Sequence, residues 1–152
     1  MKASVLYRIA AVLLLLFALG HTFGFRQVNP EWQGTGPVIA SMQSIHFDAM
    51  GFNRTYWDFF SAFGFYFSVF LVFASALAWW LGGLPAEILA RLRRIAWALA
   101  LSFCVVTALT WSYGFTIPLV FSVLITACLI AAAGLSAKAQ RSMVSQQQAR
   151  TH

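Results

Sequence analysis

Eight side chains in this sequence have types and positions suited to chemistry: His21, His46, Asp48, Arg54, Tyr56, Asp58, Trp111 and Tyr113. Imidazoles and carboxylates can move protons or ligate metal and haem. An arginine recognises anionic groups, and a tyrosine or tryptophan offers a flat apolar face with one polar edge. His46 and Asp48 form an H-x-D pair. On a helix, residues two apart point to different faces, so this pair would converge only in an extended segment. With His21 the two would supply a metal's usual imidazole and carboxylate ligands, although nothing in the spacing demands one. Facing water is the competing fate of the pair.

Thr55-x-x-Asp58 stands just before an apolar run, a capping-box-like start in which each side chain serves the other's backbone N–H. Asp58 is also in helical phase with Ser61, Gly64 or Phe65, Ser68 and Ser75, and small residues on one stripe are how membrane helices pack. His21 lies a turn inside the end of an apolar stretch, where an unpaired polar group is costly. Its neighbours Gly20 and Gly24 form a G-x-x-x-G pair, a place for a second helix to approach and for the imidazole to find a partner on it. Arg54 is expected to anchor at lipid headgroups. It can equally meet an anionic ligand or pair with Asp48 or Asp58.

The elements that carry these residues are set by composition. Hydrophobic residues make up 61% of the 152-residue chain and charged residues 9%, where a soluble domain has about 25% charged. Four apolar stretches, each of the length that crosses a bilayer, run from about Leu6 to Phe25, Tyr56 to Trp80, Ile95 to Trp111 and Ile117 to Leu135. The expected fold is therefore all-α, a four-helix transmembrane bundle over residues 1–137, followed by a cytoplasmic Gln-rich tail at 138–152 expected to be disordered. Apolar residues continue past the small-residue site at Ala18 and Gly20, so the first stretch reads as a retained span and not a cleaved signal peptide.

Between the first two spans, Asn29-Pro30 and then Gly34, Gly36 and Pro37 mark turns. Val38, Met42, Ile45 and Ala49 then recur at helical spacing and predict a short amphipathic helix on the membrane surface. The third helix is expected to start near Pro85 and to run unbroken past Arg93 and Arg94, with Glu87 four residues before Arg91. Gly114, Thr116 and Pro118 close a tight hairpin, with Thr116 as the expected N-cap of the fourth span.

Lys2, Arg8, Arg91, Arg93, Arg94, Lys138, Arg141 and Arg150 fall on one side of these spans, Arg26 and Arg54 on the other. The positive-inside rule then puts both termini in the cytoplasm and the long loop outside. The basic residues flank apolar spans instead of forming a patch, which argues against nucleic acid as a partner. Cys104 and Cys128 lack C-x-x-C spacing and sit in separate spans, against a disulfide framework, a zinc site or a thiol-redox motif.

Gly20-His21-Thr22, His46-Phe47-Asp48 and Asn53-Arg54-Thr55-Tyr56-Trp57-Asp58 resemble the corresponding stretches of small four-span bacterial membrane proteins of uncharacterised function. The resemblance covers nearly all of the chain except the tail. It supports the four-span reading and brings no particular activity; the expected location is a bacterial inner membrane. Two functions stay open. One is binding of a small hydrophobic or amphipathic ligand, or of a membrane-protein partner, at the outer end of the bundle, with no cofactor. The other is a membrane enzyme or redox protein with His21 and His46 in acid/base work or as haem or metal ligands. A proton-coupled transporter is disfavoured because no acid sits mid-span.

Overall fold

The structure is a computed structural model that describes the backbone of residues 2–27 and 34–150 and the side chains of residues 2–27 and 34–137. The turn expected at Asn29-Pro30 and the side chains of the tail lie outside the described residues. In chain order the elements are α1 (Ala3–Gly24), α2 (Thr35–Ser44), β1 (His46–Ala49), β2 (Phe52–Thr55), α3 (Tyr56–Gly83), α4 (Ala86–Arg91), α5 (Arg93–Tyr113) and α6 (Thr116–Arg150). Four stretches are long and apolar enough to cross a membrane: α1, α3, α5 and Thr116–Ala137 of α6. The chain is a multi-pass membrane protein, as its composition requires.

The chain divides into two compact units, one of Met1–Phe17 with Val72–His152 and the other of Ala18–Leu71. In the first unit the four long helices pack through small residues. Ala10, Ala11, Ala74, Ala78, Ala96, Ala100, Ala132 and Ala133 are buried in this unit, as are Leu14, Leu81, Phe103, Ile125 and Leu129. Alanine lets helix backbones come close, which is how helices gain contact where lipid removes the hydrophobic drive. At Gly82 the approach is tightest, since a Cβ there would stand 3.0 Å from the Ser4 carbonyl oxygen and 3.2 Å from the Tyr7 Cβ.

Hydroxyls of this unit bond across helices as well. Ser75 Oγ donates to the Ala11 carbonyl at 2.8 Å, joining α3 to α1. Thr107 and Thr126 share a hydrogen bond of 2.9 Å between α5 and α6, and Thr126 Oγ1 lies 3.0 Å from the Phe103 carbonyl. Phe17 stacks on Phe121, and the Arg8 guanidinium lies over the Trp79 ring. Tyr7 is fully buried with its hydroxyl short of good hydrogen-bond geometry; Ser136 is the side chain that acts on it.

Two expectations about the connections need correction. The helix expected to run unbroken from Pro85 is two helices, because Leu92 leaves the α region (φ −85°, ψ 13°) and its carbonyl receives the N–H groups of both Ile95 and Ala96. The amphipathic helix is shorter than its apolar period suggests. Ile45 is already extended, and Ala49 belongs to a β-strand.

That strand pairs with its neighbour as an antiparallel hairpin in the register His46↔Thr55, Phe47↔Arg54, Asp48↔Asn53, Ala49↔Phe52. The two residues of its turn, Met50 and Gly51, both have positive φ (52° and 84°), the backbone of a type I′ turn. At the other helix boundaries sequence and structure agree: Gly83 ends α3, and Gly114 ends α5 with its N–H bonded to the Thr110 carbonyl at 2.8 Å. Thr116 is the first residue of α6, and the preceding Phe115 carbonyl receives the Leu119 N–H, which puts the cap one residue earlier than expected.

Candidate ligand site in the segment Ala18–Leu71

The second unit, Ala18–Leu71, holds most of the residues with chemical reach. Its centre is His21, half-buried on the last turns of α1. The ring Nδ1 lies 3.1 Å from Ser68 Oγ on α3, and Ser68 Oγ in turn donates to the Gly64 carbonyl at 3.2 Å. Phe25 stacks on the imidazole with centroids 5.1 Å apart, and Phe67 meets it edge-on at 4.9 Å. Phe25 also meets Phe60 and Phe65, and its ring fills the space a Cβ would take at Gly64. The absent side chain at Gly64 is thus what lets Phe25 fold back over His21. By contrast nothing approaches Gly20 or Gly24 within 4 Å among the described residues. The G-x-x-x-G pair does not carry the helix contact expected of it; the close approaches are at Gly64 and Gly82.

The hairpin settles the geometry of the H-x-D pair. In a strand, residues two apart share a face, so His46 and Asp48 lie on one face with their cross-strand partners Thr55 and Asn53. Both acids of the unit already have internal partners. Asp48 accepts from the Asn53 amide at 3.0 Å. Asp58 accepts the Thr55 backbone N–H at 2.9 Å while Thr55 Oγ1 accepts the Asp58 N–H at 3.1 Å, the reciprocal cap its spacing predicts. His46 Nδ1 is 2.9 Å from the Ser44 carbonyl. No contact joins His46 to His21, and no three of His, Cys, Asp and Glu gather at metal-binding distance among the described residues.

Both arginines of the unit lie against aromatic rings, and the charge of Arg54 also acts on the Asp58 carboxylate. Arg26 lies over Trp57 and Phe65, each centroid 5.8 Å away. Arg54 lies over Phe52 and donates to the Asn53 carbonyl.

Tyr56 lies half-exposed at the start of α3, in ring contact with Phe47. It closes one side of an open apolar groove of about 320 Å³ whose other walls are Pro37, Val38, Ser41, Met42 and Ile45. Val38, Met42 and Ile45 form its apolar side. Trp111 and Tyr113 belong to the other unit, where both side chains are strongly exposed at the end of α5.

Sequence reasoning passed over Ser68, Phe25, Phe67 and Arg26 as site residues. Ser68 had a usable signal, the small-residue stripe Ser61, Gly64, Ser68 of α3. The stripe also holds an unsatisfied group: Ser61 Oγ is buried with no hydrogen-bond partner among the described residues. No protein family, curated protein or solved structure matches the chain.

Proposed function

We propose that the chain takes up a small hydrophobic or amphipathic ligand at the outer end of its bundle, beneath α2. The groove of Pro37, Val38, Met42, Ile45 and Tyr56 is the observation that carries this reading. Its size of about 320 Å³ falls at the lower edge of the range for small-molecule sites, and its walls are mostly apolar, with Ser41 and Tyr56 the two hydroxyl-bearing residues. Arg26, which meets no acid among the described residues, favours an anionic head on the ligand over a cationic one. With the arginine-rich turns in the cytoplasm of a bacterial cell, the groove opens on the far side of the inner membrane.

The test is binding of a dansyl-labelled fatty acid to the protein in lipid nanodiscs, read by its fluorescence gain. Met42→Glu places a charge in the groove wall and is expected to weaken binding about tenfold or more, with the thermal melt unchanged. Equal binding by the wild type and the variant would remove the groove from the function.

A further inference from the structure

The hairpin that leads into α3 has two chemically different faces. Partners across an antiparallel ladder share a face, and so do residues two apart along a strand. The register therefore puts Phe47, Ala49, Phe52 and Arg54 on one face and His46, Asp48, Asn53 and Thr55 on the other. The polar face is tied together by the bond from Asn53 to Asp48. The apolar face is open: Phe52 near its far end is 61% exposed, with the guanidinium of Arg54 over its ring. Depth and direction say what covers it. Trp57 and Trp79 lie about 33 Å apart along α3 at about 1.5 Å per residue, close to the ~30 Å of a hydrocarbon core, so each falls at a membrane interface, where tryptophan is enriched. Thr55 is the last residue of the strand and Tyr56 the first of the helix, so the hairpin is rooted at headgroup level with no linker to lift it off. The Phe47 ring meets Tyr56 and, most of a turn further into the span, Phe59, at centroid distances of 5.1 and 5.4 Å. The face that carries Phe47 is thus turned the way α3 runs, into the membrane, and the face of His46 and Asp48 is turned away from it.

We propose that this hairpin lies flat on the bilayer where α3 enters it, with Phe47, Ala49 and Phe52 at the boundary of the acyl chains and Arg54 at the phosphates of the headgroups. A phospholipid surface suits both halves of the face at once. Rings enter the acyl boundary, while an arginine lays its stem along apolar surface and keeps its head on anionic oxygens. A protein partner would have to supply an acid for a guanidinium inside an apolar contact. The inference does not depend on the groove beneath α2, whose walls include none of these four residues.

The test places a nitroxide at Phe52→Cys or at Asn53→Cys, with Cys104→Ser and Cys128→Ser removing the native thiols, in nanodiscs of phosphatidylcholine and phosphatidylglycerol. Its relaxation is read with oxygen, which concentrates in lipid, and with a water-soluble nickel chelate. The label at position 52 is expected to be open to oxygen and shielded from nickel, about 5 Å below the phosphates, the depth at which interfacial apolar faces sit. The label at position 53 is expected to be open to nickel. Arg54→Gln is expected to raise nickel access at position 52. Equal nickel access at the two positions overturns the proposal, and shielding of position 52 from both reagents overturns it in favour of a protein cover such as a second copy. A label that does not move in Arg54→Gln overturns the headgroup contact. Hydroxyl-radical footprinting of the wild type in the same nanodiscs needs no substitution. His46 and Phe52 are both exposed in the protein alone, yet His46 is expected to be oxidised and Phe52 spared, once each is scaled for its intrinsic reactivity. Oxidation of Phe52 as fast as His46 overturns the proposal even where the cysteine-free chain does not fold.

Discussion

The two units of this chain differ in what their helices pack with and in how far their hydroxyls reach across to a neighbouring helix. In the unit of Met1–Phe17 and Val72–His152, with the buried Tyr7 hydroxyl as the exception, hydroxyls close on carbonyls of the next helix: Ser75 on Ala11, Thr126 on Phe103. Alanine and glycine bring the backbones near enough for those bonds. In Ala18–Leu71 the apolar volume is phenylalanine, packed on and around His21, and among the described residues Ser61 Oγ has no hydrogen-bond partner and Arg26 meets only aromatic rings. A helix bundle in lipid becomes a stable scaffold by satisfying its polar atoms internally, and becomes receptive where it does not.

Three substitutions test that contrast, in order of expected effect. Gly82→Leu drives a side chain into the Ser4 carbonyl and the Tyr7 Cβ. Because backbone is in the way, it is expected to cost about 3 kcal/mol, read as a lowered melting temperature in detergent. A melt equal to wild type would show that the first unit is not the rigid one.

Gly64→Ala meets a ring, not a backbone. Phe25 is expected to swing away from His21 at a cost of about 1 kcal/mol, the worth of the lost aromatic contacts. The effect should appear chiefly as greater solvent exchange at the His21 ring, seen in its 15N resonances. An alanine here that lowered the melt as far as Gly82→Leu would erase the distinction between the units.

Met50→Asn is expected to be mildly stabilising, by about 0.5 kcal/mol, because asparagine tolerates the left-handed backbone that Met50 adopts. Slower amide exchange across the His46↔Thr55 and Asp48↔Asn53 pairs would register it, and faster exchange would count against the type I′ turn.

The four spans were legible because lipid imposes one requirement on the sequence, an apolar run of sufficient length, and α1, α3, α5 and α6 each meet it. The Thr55/Asp58 cap was legible for a similar reason: its bonds are local and its spacing fixed. The hairpin was hidden on two counts. Its turn is Met-Gly where Asn-Gly or Asp-Gly would announce it, and Ile45 and Ala49 happen to continue the helical period of Val38 and Met42 across a boundary set by backbone conformation. The break at Leu92 carries no glycine or proline to mark it. His21 could be singled out from its depth, whereas the Ser68 partner forty-seven positions away depends on helix rotation, which an apolar run with little amphipathic contrast does not disclose.

Thr55 ends one element and begins the next. Its backbone completes the ladder opposite His46, and its side chain and amide lock the first turn of α3 through Asp58. No slack separates the ribbon from the rod. A pull that peels the strands apart at Thr55 therefore unlatches the same residue from Asp58, so that fraying of the hairpin and loosening of the helix start at Tyr56 and Trp57 are one mechanical event.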